Sequence, residues 1–191
     1  VSIIPRGYGV LGYVLRRPED DRHLQTRTEL ETNIKVGLGG TIAEELVFGD
    51  FSTGAANDLE RVNLIARRMV KMFGMSPLGR IFHRDGETNT FLPGMSDFVP
   101  RDHSEETARE IEMEVRRIID RGTDGVRDIL TRNRAVLEIV ANRLVEKEVI
   151  DGVELHELLD RNGFVGGTWP PVEANGVHHS ETGNITHAPA S

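Results

Sequence analysis

Apolar residues at Ala55, Leu59, Val62, Ala66, Met69 and Phe73 recur three or four positions apart, the spacing that lines one face of an α-helix. Ser52 and Thr53 precede them and can accept hydrogen bonds from the free N–H groups of a first turn. Together they predict a helix over about 53–73, with Gly74 placed to end it. A second stripe, Leu30, Ile34, Leu38, Ile42 and Leu46, follows a Thr26/Glu29 capping box and stops at Gly49. Gly37, Gly39 and Gly40 interrupt it, and each costs a helix about 1 kcal/mol relative to alanine. Such a cluster predicts that another backbone packs closely there.

Ser104 caps a long helix whose core face is Ala108, Ile111, Val115, Ile118 and Ile119. Gly122 and Gly125 weaken it, yet Val126, Ile129 and Leu130 continue the stripe. A further helix carries Val136, Leu137, Val140, Leu144 and Val145, and an Asp151/Glu154 capping box opens a short one with Leu155, Leu158 and Leu159. Helices of this kind pack as an antiparallel bundle, expected over 104–161. Ahead of all of them, residues 1–15 read as a β-hairpin turning at Pro5-Arg6-Gly7-Tyr8-Gly9. The expected fold is therefore mainly α, with an N-terminal β-hairpin and a C-terminal antiparallel helical bundle. Residues 76–103 lose all periodicity and form a long connection of the kind that is usually functional or mobile. The domain is expected to span 1–162, and the Gly-, Pro-, His- and Asn-rich stretch 163–191 to be a disordered tail.

Composition narrows the function classes. With 38% hydrophobic and 28% charged residues, the 191-residue chain suits one soluble globular domain. A net charge of −8 argues against a nucleic-acid surface. The absence of cysteine excludes disulfides and thiolate metal sites, and favours a reducing, cytoplasm-like compartment. No apolar run approaches the roughly 20 residues of a membrane span. The chain begins at Val1 inside an apolar run, Val1-Ser2-Ile3-Ile4, whose strand needs a neighbour, so an N-terminal part is expected to be missing.

Candidate chemistry is sparse. Gly37-Leu38-Gly39-Gly40 lacks the following Lys-Ser/Thr of a phosphate loop, and no nucleophile elbow occurs. His156-Glu157-Leu158-Leu159-Asp160 has metal-ligand spacing on a helix, but Leu155, Leu158 and Leu159 claim the buried positions and leave His156, Glu157 and Asp160 as a solvated face. His178, His179 and His187 fall in the tail, without the rigid support a site requires. At about 100° per residue, Asp58 projects near Val62, Ile65 and Met69, at the edge of its helix's buried stripe. It is either a first-turn charge facing the helix dipole or a carboxylate held towards a buried partner. Glu44 and Glu45 are rival carboxylates, Glu45 being placed nearer the apolar face and Glu44 nearer solvent.

Several segments together carry a family resemblance. Ser2-Ile3-Ile4-Pro5-Arg6-Gly7, Leu11-Gly12-Tyr13-Val14, Leu38-Gly39-Gly40, Ala43-Glu44-Glu45-Leu46-Val47-Phe48-Gly49 and Thr53-Gly54-Ala55-Ala56-Asn57-Asp58-Leu59 resemble, in order, the peptidase domain of FtsH-type ATP-dependent metalloproteases. Ala66-Arg67-Arg68-Met69-Val70, Phe73-Gly74-Met75-Ser76 and Ser104-Glu105-Glu106-Thr107-Ala108 extend the likeness, which covers residues 1–160. It implies a largely helical peptidase joined to an upstream AAA+ ATPase, which uses ATP and Mg²⁺, and to a membrane anchor. This domain would lie on the cytoplasmic side. It further implies a homo-hexamer that feeds unfolded or membrane proteins to zinc sites. Two zinc-binding histidines and a general-base glutamate would come from an H-E-x-x-H helix, and Asp58 maps onto the third zinc ligand. Gly12, Tyr13 and Val14 map onto the edge strand along which an extended substrate pairs. The H-E-x-x-H segment would lie about twenty residues before Val1, so the chain alone is expected to lack catalytic residues and to be inactive. A stand-alone remnant serving as an oligomerisation or binding module is the alternative.

Overall fold

A computed structural model describes residues 1–5, 14, 24–83 and 103–166. Five α-helices are described: α1 (Arg27–Phe48), α2 (Ala56–Lys71), α3 (Glu105–Arg132), α4 (Arg134–Lys147) and α5 (Gly152–Arg161). The Thr26 capping box forms as expected, and Gly49 ends α1 in the left-handed region. Ser104 Oγ accepts from Thr107 N–H to start α3, and Asp151 Oδ1 accepts from Glu154 N–H to start α5.

The second capping box forms only half way. The Glu154 carboxylate turns to α4 instead, accepting from Arg143 at 2.9 Å and from Lys147 at 2.8 Å. These cations hold its carboxyl below the usual carboxylate range, Lys147 contributing most, and the pairing raises the Arg143 guanidinium in turn.

The core lies between α1, α2 and α3. Leu30, Ile34, Leu38 and Ile42 of α1 meet Val62, Ala66, Met69 and Val70 of α2 and Ile111, Val115, Ile118 and Val126 of α3. The expected bundle within 104–161 is thus corrected: α3 packs mainly on the two helices that precede it in sequence. The reason is the width of the stripes. On α4 only Val136 is buried and on α5 no residue is, so neither offers α3 a continuous apolar face. Half-buried Leu137, Val140 and Leu144 of α4 and Leu155, Leu158 and Leu159 of α5 are joined there by polar contacts.

Glycines mark the closest approach of the helices. A Cβ on Gly37 would lie 2.6 Å from Val62 Cγ2 on α2, and one on Gly122 would lie 3.0 Å from Ile34 Cγ2 on α1. Close packing is therefore met at Gly37 but not at Gly39 or Gly40, which have no described atom within 4 Å of a built Cβ. Gly122 and Gly125, read as weakening positions, sit within an unbroken α3. Two further links tie the layers: Arg67 grips Glu112 at 2.7 and 3.1 Å across α2 and α3, and Arg127 meets Glu45 at 2.8 Å across α3 and α1.

The N-terminal hairpin is not supported. Among the described residues there is no strand beyond isolated bridges, and Ser2 pairs antiparallel with Val149. Residues 6–13 and Leu15 lie outside the described residues; Val14 is described and exposed. The link between α4 and α5 supplies the neighbour that Val1–Ile3 need, because it runs extended from Val149 into the β-region cap of Asp151.

The long connection folds back at its start. Gly74 adopts φ 58°, and a Cβ there would lie 2.7 Å from Arg80 Cα, a geometry that only glycine accommodates. His83 and His103, at either side of the undescribed stretch, meet edge to face with ring centroids 5.6 Å apart. The tail reading also needs revision at its first residues. Asn133, buried at the α3–α4 junction, donates to Val165 O at 2.9 Å and accepts from Val165 N–H at 2.7 Å. Residues 163–166 are therefore docked, and 167–191 lie outside the described residues.

Candidate metal centre

Asp58 stands in the first turn of α2. The helix itself begins at Ala56, later than the periodicity predicts, because Thr53–Ala55 form a separate 3-10 turn. Ser52 caps that turn, its Oγ accepting from Gly54 N–H at 3.3 Å. Ser52 is held in turn by Glu44 of α1, whose carboxylate accepts from Ser52 N–H at 2.8 Å and from its hydroxyl at 3.3 Å. Glu44 is partly buried and Glu45 exposed, the reverse of the reading from periodicity. The chain reversal at Gly49 brings Ser52 back over Glu44, which the α1 pattern taken alone does not register.

The Asp58 side chain is exposed and forms no hydrogen bond or ion pair with a described residue. Among the described residues no buried partner holds this carboxylate towards the core. Geometry explains this. The buried face of α2 begins one turn later, at Val62, where Gly37 admits the contact. The Asp58 carbonyl oxygen lies 3.6 Å from the Cβ position of Gly37, so the backbone sits close to α1 while the side chain points out. Leu59 and Phe73, expected in the buried stripe, are exposed at the two ends of the same contact.

As a metal donor Asp58 fits one role, that of a single oxygen ligand that is exposed, without a partner among the described residues, and carried on a braced helix start. Among the described residues no group of three or more His, Cys, Asp and Glu side chains converges on a point. Any further donors would have to come from elsewhere. The H-E-x-x-D stretch adds none. His156 Nδ1 is engaged with Gly152 O, Glu157 pairs with Arg161 at 3.0 Å, and Asp160 is exposed. Gly12 and Tyr13 lie outside the described residues.

The family model described as peptidase family M41 matches residues 1–158, a span that includes the braced Asp58 turn. This chain belongs to peptidase family M41. Among relatives of this M41 chain, the ATP-dependent zinc metalloprotease FtsH of Pirellula staleyi is 49% identical over 197 residues, covering 100% of this chain and 28% of the relative. FtsH 4 of Synechocystis sp., also an ATP-dependent zinc metalloprotease, is 45% identical over 160 residues, covering 83% of this chain and 26% of its own length. The corresponding protein of Syntrophobacter fumaroxidans is 46% identical over 158 residues, with 82% and 24% covered. The M41 chain thus spans about a quarter of the length of these relatives. No helix among its described residues is long and apolar enough to cross a membrane.

Proposed function

We propose that this chain is part of an ATP-dependent zinc metalloendopeptidase and that Asp58 supplies one of the ligands of its zinc. The observation that carries the reading is the state of Asp58: exposed and without a partner among the described residues, on a helix start braced by Ser52, Glu44 and the Gly37 contact. A first-turn carboxylate with only a structural role needs no such bracing; a metal ligand does. Membership of peptidase family M41 and the names of the relatives support the same chemistry.

Bound zinc would polarise a peptide carbonyl and lower the pKa of a water, with the remaining ligands and the general base supplied from outside this chain. Substrates are unfolded polypeptides that add as a strand along Gly12, Tyr13 and Val14, so that backbone hydrogen bonds make recognition tolerant of sequence. The intact protein is a membrane-anchored homo-hexamer driven by ATP and Mg²⁺ at an ATPase domain, with this domain on the cytoplasmic side.

Asp58→Asn tests the assignment in the intact protein. It keeps the size and much of the polarity of the side chain while removing the anionic donor. The expected result is weakened zinc retention and loss of proteolysis of an unfolded substrate such as casein, with ATP hydrolysis retained. Unchanged zinc content together with unchanged proteolysis refutes the ligand role.

A further inference from the structure

His83 and His103 are far apart in sequence and side by side in space. Both are half-buried, and their rings meet with centroids 5.6 Å apart and planes at 78°. Each is carried on anchored backbone. After α2 the chain bonds back through Met75 N–H to Met69 O at 2.8 Å, turns at Ser76 and Gly79, and returns until His83 N–H donates to Lys71 O at 2.8 Å. Lys71 is itself buried, so this return is tied to the interior. On the other side, His103 immediately precedes Ser104, the cap of α3. Ligands of a metal need rigid support of this kind.

The spacing of the rings fits a shared ion. With a metal–nitrogen bond of about 2.0–2.1 Å and each nitrogen about 1.1 Å from its ring centre, two imidazoles on one ion have centroids about 4.5–6.4 Å apart. The observed 5.6 Å lies inside that range, so bringing a nitrogen of each ring to one ion is a matter of side-chain rotation. An edge-to-face contact alone also occurs at this distance. This pair differs in joining two anchored elements and in opening on water: His103 lines a groove of about 1020 Å³ between α2 and α3, together with Lys71 and Glu105. Among the described residues no third His, Cys, Asp or Glu joins the pair, so water from the groove would complete the coordination.

We propose that His83 and His103 form a two-histidine site for a late first-row divalent ion such as nickel, copper or zinc, joining the segment after α2 to the start of α3. Imidazole nitrogen suits these ions, whereas magnesium and calcium take oxygen ligands. Each ring has two nitrogens, so one can hold the ion while the other keeps a hydrogen bond. The site lies beyond the opposite end of α2 from Asp58 and does not draw on the zinc-peptidase reading.

Footprinting of the intact protein with diethyl pyrocarbonate tests the site, since the reagent modifies imidazole nitrogens and peptide mass spectrometry reads each histidine separately. Ni²⁺ is the probe. It should slow modification of His83 and His103 several-fold, with one half-saturating concentration for both, and Mg²⁺ at the same concentration should slow neither. The protection of His103 should vanish in His83→Ala, and that of His83 in His103→Ala. Amide exchange at 81–83 and 103–107 should slow at the same Ni²⁺ concentration.

A His103 that stays protected in His83→Ala overturns the proposal, as does a lack of protection in the unsubstituted protein. Unchanged amide exchange at 81–83 and 103–107 on adding Ni²⁺ overturns it as well. Should both variants fail to fold, the unsubstituted protein still decides. Unequal half-saturating concentrations at the two histidines, or protection confined to His178, His179 and His187, would mean adventitious binding only.

Discussion

The α1–α2–α3 layer and the α4–α5 pair are both helical, but they are held by different physics. The first buries a continuous stripe from each helix, with Ile34, Val62, Ala66, Met69 and Ile111 almost wholly removed from water. The second fully buries only Val136 and Ile150 among its apolar side chains, leaves Leu144, Leu155 and Leu158 half-buried, and adds directional contacts. Those contacts are Asn133 with Val165, Glu154 with Arg143 and Lys147, Arg134 with Leu46 O, and the ladder to Val1–Ile3. Apolar burial is insensitive to pH and forgiving of small rotations; hydrogen bonds and ion pairs are neither. A rigid layer carries Asp58, and a polar one holds Val1–Ile3.

The largest contrast should come from the rigid layer. Met69 has no exposed surface, so Met69→Ala is expected to lower global stability by about 2–5 kcal/mol, read by denaturant unfolding. Loss of less than 1 kcal/mol would show that this core closes over the gap as loosely as the polar pair. Asn133→Ala comes next. It strips both partners from the Val165 backbone and one from Ile129 O, an effect of about 1–3 kcal/mol. Its signature is local: amide exchange at Val165 should quicken while amides at Ile34 and Met69 keep their protection.

Acid should produce the smallest and most regional effect. Glu154 has a lowered pKa in the folded chain, so its contribution is complete above the ordinary carboxylate value of about 4.3. It disappears as pH falls through the lowered value. The amides of α5 should therefore lose protection on acidification before those of α1 and α2, measured by hydrogen exchange. Simultaneous loss in both layers would erase the distinction between them.

Most helices were legible because their signals are local. Thr26 with Glu29, Ser104, Asp151 and Gly49 act within a few residues of themselves, and each takes part in a cap. Local signals also misled where a second demand competed. Glu154 has the position of a capping-box residue, yet two cations on α4 outbid the backbone N–H. Val1-Ser2-Ile3 has an apolar strand pattern, and the pattern is silent about which partner it pairs with. Glu44 and Glu45 are adjacent and chemically alike; only the reversal after Gly49 separates the brace from the exposed carboxylate. Asp58 was legible through the Thr53–Leu59 run that surrounds it, while its outward orientation was not.

The sequence by itself determined which stretches are helical, where most of them start and stop, and which family the chain resembles, since these depend on spacing and on short motifs. Tertiary structure alone decided which helices share a core, because that choice compares the faces of α1, α2 and α3 with the narrower ones of α4 and α5. It also decided how close the helices come, through Gly37 and Gly122, and where the N-terminal segment finds its partner. For Asp58 the division runs through a single residue: its place in the first turn follows from local periodicity, and its exposure follows from where α1 stops touching α2.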